Sequence, residues 1–149
     1  MERTFENLHV GLVYETGSIE VTEAAILAFA REYDPQPMHL RHEDAAAGTF
    51  GRLVASGWQT ASYTMRLLVD AGTFASRGGL GLGIEALKWL RPVEPGDVLT
   101  ARVTVASARR SQSKPVGIVA LDIVTSNQRG EAVLSATLNG LVPLASETA

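Results

Sequence analysis

Apolar residues recur at helical spacing in two segments of the first half of the chain. Thr22 is predicted to cap the first helix, and its apolar face follows at positions i, i+3, i+4 and i+7: Ile26, Phe29, Ala30 and Tyr33. Ser56 is predicted to begin the second helix, where it would form a capping box with Gln59. The apolar stripe of this second helix contains Trp58, Ala61, Met65, Leu68 and Val69. Because few charged residues interrupt it, we expect this helix to be buried on most sides.

Alternating apolar and polar residues predict β-strands, most of them in the second half of the chain. The predicted strands are His9–Tyr14, Ile19–Val21, Ile84–Leu90, Leu99–Val105, Val119–Ile123 and Ala132–Val142. A turn or bulge is predicted at Thr16–Ser18, and turns are predicted at Pro95–Asp97 and Asn127–Gly130. The segment from Leu40 to Phe50 is compatible with a short helix or a loop. Early helices followed by strands on short turns predict an α+β fold with an antiparallel sheet.

Length, charge and composition narrow the class of protein. The 149 residues predict a single domain, residues 1–149, with a core that needs no metal or disulfide. The chain has no cysteine, which excludes disulfides, thiolate zinc sites and cysteine nucleophiles. A net charge of −3 without a basic block argues against nucleic-acid binding. We find no signal peptide and no apolar run long enough to span a membrane, so a cytoplasmic location is the default expectation.

Asp34 and His39 are the first candidate pair for chemistry, and two prolines lie between them. A residue before a proline is biased away from the helical region, so Asp34 and Gln36 are predicted to be extended. On the same argument, neither Asp34 nor His39 is expected inside a regular helix. An acid and an imidazole on a rigid bend suit proton transfer to and from a water. The alternative is that Asp34 only ends the helix and His39 lies at the surface, which is the commoner explanation for an aspartate and a histidine this close in sequence.

Ser56 and Gly57 are the second candidate. The first amides of a helix have no partner within the helix, and a glycine lets a ligand approach the backbone closely. The Gly57 amide is therefore a candidate donor to a carbonyl oxygen on which negative charge develops. Ordinary capping of the helix by Ser56 and Gln59 explains the same residues.

Three further clusters predict no specific site. The glycines between positions 78 and 83 do not fit a dinucleotide-binding pattern, and they lead into a strand rather than a helix. A weak signal for a metal comes from His39, His42, Glu43 and Asp44. We interpret these four residues as a solvated segment and predict no metal site. A small basic patch, expected to be solvated or to meet an anionic ligand tail, contains Arg109, Arg110 and Lys114.

The chain resembles the MaoC-like dehydratases, a family that includes the (R)-specific enoyl-CoA hydratases. Residues 29–39 resemble the family's hydratase motif, residues 53–60 the segment that enters its central helix, and residues 89–97 its next strand and turn. Tyr33 and Gln36 stand where the motif often has glycine and asparagine. Ser56 stands where the (R)-specific hydratases commonly have histidine. These departures bear on the acyl substrate more than on the acid–imidazole pair.

The resemblance implies a hotdog fold, in which an antiparallel sheet wraps around one central helix. It implies that Asp34 and His39 form a catalytic dyad that adds water to, or removes it from, a 2-enoyl-CoA thioester. Gly57 would then polarise the thioester carbonyl, and Ser56 and Gln36 would belong to the substrate site. Coenzyme A would enter only as part of the acyl-CoA substrate, with no separate cofactor. The family also implies a homodimer or a larger homo-oligomer.

Three other functions are compatible with the residues. The same fold could hydrolyse a thioester, since hotdog thioesterases also place a carboxylate near the N-terminus of a helix. It could be a non-catalytic subunit that binds acyl-CoA or a second chain. A different α+β fold with an acid in its pocket would place the second helix outside the sheet.

Overall fold

The computed structural model describes residues 3–74 and 78–145. A short 3-10 turn at Phe5–Asn7 precedes the regular elements. The helices are α1 (Glu23–Tyr33), α2 (Pro37–Leu40), α3 (His42–Ala46) and α4 (Gly57–Asp70). The strands are β1 (Val13–Glu20), β2 (Leu80–Trp89), β3 (Val98–Arg110), β4 (Val116–Ser126) and β5 (Ala132–Pro143). Within the described residues, we find no helix that combines the length and the apolar character needed to cross a membrane.

The five strands form one antiparallel sheet in the order β1-β3-β4-β5-β2. The long central strands pair in register, with Val103 opposite Ile123 and Asp122 opposite Thr137. Helix α4 packs against β1 and β3 and lies across the sheet. The predicted hotdog fold, an antiparallel sheet around a central helix, is confirmed.

The core lies between α4 and the sheet. Alternate residues of β3 face it and are almost fully buried: Leu99, Ala101, Val103 and Val105. Leu121 of β4 and Leu67 and Leu68 of α4 meet them from the neighbouring elements. Full burial of one such leucine stabilises the fold by roughly 1.5–3 kcal/mol, so this layer is what holds the helix onto the sheet.

The first strand differs from its prediction. The structure has one strand, β1, where two short strands were expected at His9–Tyr14 and Ile19–Val21. The predicted bulge is present between Glu15 and Ser18, but both sides of it remain paired with β3. A bulge adds a residue without ending the ladder, which is why one strand continues through it.

Helix α4 is less buried than its low charge predicts. Its buried residues are Gln59, Thr60, Thr64, Leu67 and Leu68. Three large apolar residues of the predicted stripe are instead exposed: Trp58 by 59%, Met65 by 39% and Val69 by 54%. The spacing of apolar residues gave the correct helix, but the stripe is wider than the surface that the sheet covers.

Strand β2 contains a bulge between Glu85 and Lys88, and Ala86 within it has a left-handed φ of 51°. Side chains alternate between the two faces of a strand, so one extra residue exchanges the faces beyond it. Ile84 and Leu87, three residues apart, consequently border the same cavity beside α4. The bulge thereby turns Trp89 toward the N-terminus of α4.

Candidate active site

The segment between α1 and α2 places the first candidate residues. Thr22 caps α1 as predicted, with its hydroxyl accepting a hydrogen bond from the Ala25 amide at 3.1 Å. Asp34 follows the last helical residue with φ −148° and ψ 69°, outside the helix as predicted. Gln36 is extended, also as predicted. His39, however, lies inside the one-turn helix α2, because Pro37 occupies its first position, where a proline is tolerated.

The structure brings His39 and Asp34 together. The His39 ring is buried, and its Nδ1 lies 2.7 Å from the carbonyl oxygen of Val54. A carbonyl oxygen only accepts, so Nδ1 carries the hydrogen and the Nε2 of the neutral ring has a free lone pair. Nε2 lies 3.5 Å from Oδ2 of Asp34. In this state both atoms are acceptors, and a water between them would donate one hydrogen to each.

Asp34 is held as a carboxylate by its neighbours. Its partial burial acts to raise its pKa, but the side chains of Gln36 and Ser56 more than offset this and lower the pKa below its ordinary value. The Gln36 amide donates to Oδ1 at 2.7 Å, on the oxygen that does not face His39. Of the predicted substrate-site residues, Gln36 therefore hydrogen-bonds to Asp34, and Ser56 acts on its pKa.

The N-terminus of α4 leaves one amide available. Ser56 caps the helix: its hydroxyl accepts from the Trp58 amide at 3.2 Å, and its carbonyl accepts from the amides of Gln59 and Thr60. Among the described residues, the Gly57 N–H has no such partner. This group lies at the positive end of the helix dipole and at the edge of the cavity described below.

The predicted capping box between Ser56 and Gln59 is not formed. Gln59 is 1% exposed, and its Oε1 is buried without a hydrogen-bond partner in the described structure. The side chain points into the interior instead of turning back to the backbone of Ser56. Ser56 does cap the helix, but through the Trp58 amide, so neither hydrogen bond of the predicted box is present.

Trp89 is the residue of this site that the sequence analysis did not single out. A Cβ atom added to Gly57 would lie 2.6 Å from Cε2 of Trp89. The indole Nε1 donates to the carbonyl oxygen of Gly57 at 2.7 Å, and the rings of Trp58 and Trp89 pack edge to face with centroids 5.2 Å apart. Position 57 thus requires glycine because an indole covers it, whereas the sequence suggested room for a ligand there. The signal in the sequence was that both tryptophans of the chain lie within segments that resemble the family, residues 53–60 and 89–97.

A cavity of about 330 Å³ joins these residues. Asp34, Gln36, His39 and Gly57 line it, whereas Ser56 is buried behind it. The rest of the wall is mainly apolar or aromatic, with one cation: Met38, Phe50, Val54, Ala55, Trp58, Thr60, Trp89, Leu90, Arg91 and Pro92. An acid, an imidazole and a free amide in an apolar cavity are suited to acid–base chemistry on a carbonyl compound.

The other candidate clusters do not converge on the cavity. His42 pairs with Glu23 and Asp44 with Arg41, all at the surface. Among residues 3–74 and 78–145, no group of three or more side chains has the arrangement of a metal site. The basic patch lies at the hairpin that joins β3 to β4, where Arg110 pairs with Gly117. Trp89 pairs with Leu134 near the opposite end of the sheet.

Residues 6–127 match the family model of the MaoC like domain. The chain belongs to this family. The MaoC-like domain is 31% identical over 133 residues to the uncharacterized protein YdeM of Bacillus subtilis, covering 89% of this chain and 94% of that protein. The alignment therefore spans nearly the whole of both proteins.

Two solved structures extend the comparison. The MaoC-like dehydratase from Rhodospirillum rubrum superposes with a TM-score of 0.91 at 42% identity, covering 97% of this chain and 99% of that one. The (R)-hydratase from A. caviae involved in PHA biosynthesis superposes with a TM-score of 0.76 at 29% identity, covering 93% and 99%. The family and these neighbours support an enzyme of the hydratase or dehydratase type.

Proposed function

We propose that this MaoC-like domain adds water to a 2-enoyl-CoA thioester, or removes it from the corresponding 3-hydroxyacyl-CoA. The observation that carries the proposal is the 3.5 Å separation of His39 Nε2 and Asp34 Oδ2. The other ring nitrogen, Nδ1, is hydrogen-bonded to the carbonyl oxygen of Val54. Membership of the MaoC-like family supports the same reaction class. The chain's own side chains and backbone supply every group that the step uses, so we propose no cofactor and no metal.

In the hydration direction, one water lies between Asp34 and His39. His39 Nε2 accepts a proton as the water oxygen attacks C3 of the enoyl group, and the carboxylate of Asp34 stabilises the resulting imidazolium. The proton held on His39 Nε2 then passes to C2, so that the elements of one water are added and the dyad returns to its starting state. Dehydration follows the same path in reverse.

The Gly57 amide stabilises the charge that this step creates. As the water attacks C3, electron density moves onto the thioester oxygen, and a fixed N–H donor opposes that charge best where solvent is excluded. The Trp89 hydrogen bond to the Gly57 carbonyl and the Ser56 cap both fix the backbone on which the donor stands. Their effect is to keep the N–H in place before the substrate arrives.

A direct test is the loss of enoyl absorbance in a panel of 2-enoyl-CoAs, measured in parallel with the release of free thiol. We expect enoyl consumption with no comparable thiol release. Thiol release faster than hydration would instead identify a thioesterase. Acyl-CoA binding without turnover across the panel would identify a non-catalytic acyl-CoA-binding subunit.

We also propose that the domain acts as a homodimer in the cytoplasm. Strand β2 is an edge strand whose Leu80, Leu82 and Ile84 are more than half exposed. The exposed stripe of α4, with Trp58 and Val69, adds further apolar surface to this monomer. Unpaired apolar edges tend to pair with another strand, so the edge strand β2 of a second copy is the partner that we propose. The absence of cysteine suits a reducing compartment.

A further inference from the structure

A second, smaller cavity lies between α4 and the sheet, where β2, β4 and β5 contribute to its wall. Its volume is about 40 Å³, and Ala61 and Met65 of α4 and Ile84 and Leu87 of β2 are among its lining residues. Apart from Thr64, every side chain that lines it is apolar. This small apolar cavity, called the apolar groove below, suits hydrocarbon rather than a polar group.

The two tryptophans line the active-site cavity and belong to the same two elements, α4 and β2, that contribute to the groove. Trp58 precedes Ala61 and Met65 by three and seven residues, so all three lie on one face of α4. Trp89 follows Leu87 by two residues, which places both on the α4 side of β2. The indole of Trp89 is fixed by its hydrogen bond to Gly57 and by its contact with Trp58. Both indoles line the active-site cavity, whereas the next inward residues of the same two elements, Ala61 and Leu87, line the groove.

The two ends of an acyl-CoA thioester differ in polarity, and this difference indicates which part of the cavity suits each end. The coenzyme A arm is long and polar, so it suits the solvent-facing side of the cavity, where Arg91 is 58% exposed and pairs with Glu131. An acyl tail that extends the other way, along α4 toward the apolar groove, would meet the two indoles. We propose that Trp89 determines acyl-chain specificity and restricts the enzyme to short 2-enoyl thioesters. This inference rests on the proposed function and names its substrate class.

The test compares four-carbon with eight-carbon chains in the wild type and in Trp89→Ala. Binding of butyryl-CoA and octanoyl-CoA, which cannot be hydrated, is measured beside hydration of crotonyl-CoA and 2-octenoyl-CoA. Each additional buried methylene is worth roughly fourfold in affinity. We therefore expect Trp89→Ala to raise the ratio of octanoyl to butyryl affinity by at least about tenfold, and the ratio of hydration kcat/KM in the same direction.

Two further variants serve as controls. Trp89→Phe keeps an aromatic ring in place but loses the indole N–H, and we expect its chain-length ratio to stay within about twofold of the wild type. Trp89→Leu leaves a smaller side chain, and its ratio should fall between those of the wild type and Trp89→Ala. If thermal denaturation shows that Trp89→Ala does not fold, Trp89→Leu still tests the prediction.

The outcomes separate this inference from the proposed function. If the ratio of octanoyl-CoA to butyryl-CoA affinity is unchanged in Trp89→Ala and Trp89→Leu, the proposed role of Trp89 is overturned, even where hydration is efficient. A shift as large in Trp89→Phe as in Trp89→Ala would also overturn it, since the ring would then not be the barrier. A shift in binding without hydration of any substrate would support the barrier and overturn the reaction. Failure of the wild type and of the alanine variant to bind either thioester would overturn both.

Discussion

Gln36 is the residue at which this chain departs from its family's motif inside the site itself. Its amide reaches Asp34 Oδ1, so the longer side chain still provides a hydrogen bond to the carboxylate. That bond is one of the interactions that lower the pKa of Asp34 against the effect of burial. The departure therefore preserves the ionised acid, and Asp34 stays charged at neutral pH.

Removal of the Gln36 amide tests this role through the pH dependence of activity. In Gln36→Leu the pKa of Asp34 loses a lowering interaction and rises, so the acid limb of the kcat/KM profile should move to higher pH. Gln36→Asn keeps an amide and is the matched control, with an acid limb near that of the wild type. An acid limb that is identical in Gln36→Leu and wild type would show that the hydrogen bond does not tune Asp34.

The pairing of Asp34 with His39 could be anticipated because the prolines that separate them are visible in the sequence. The hydrogen-bond partner of His39 could not. Val54 lies fifteen residues further on, after a segment without periodicity, and only the folded chain brings its carbonyl to the ring. The same limit applies to Trp89, whose contact with Gly57 depends on a bulge that exchanges the faces of β2.

At the scale of elements, α4 shows what periodicity can and cannot predict. The apolar spacing and Ser56 fixed the start and the course of the helix, which runs over Gly57–Asp70. They did not reveal which part of the stripe the sheet would cover, because coverage depends on elements distant in sequence. Gln59 shows the same limit, since its spacing from Ser56 matched a capping box while its side-chain oxygen lies buried without a partner.

The unpaired oxygen of Gln59 predicts a stabilising substitution. Gln59→Met keeps the length of the side chain and removes a buried acceptor that lacks a partner, so we expect the free energy of unfolding to rise by about 1 kcal/mol. Gln59→Glu is the contrasting variant, because a buried charge at this position should lower stability. Chemical denaturation measures both. A Gln59→Met variant less stable than the wild type would show that the oxygen is satisfied in solution.

For the molecule as a whole, the main open surface is the edge of the sheet together with the exposed face of α4. We expect the wild type to sediment at about twice its 15.9 kDa chain mass, because pairing of two β2 edges would cover this surface. Leu82→Lys places a charge on the edge and should give a monomer. Val124→Lys changes a residue that is 40% exposed on the interior strand β4, and should leave the dimer intact. A monomeric wild type would contradict the proposed homodimer.

The most direct test of the central claim compares two pairs of variants in the hydration of crotonyl-CoA. Asp34→Asn and His39→Ala remove the proposed dyad, whereas Asp44→Asn and His42→Ala change the same residue types at surface pairs outside the cavity. We expect kcat/KM to fall by at least about 100-fold in each dyad variant, as loss of acid–base catalysis predicts, and to stay within about twofold in the controls. Dyad variants that hydrate crotonyl-CoA at wild-type rates would contradict the account.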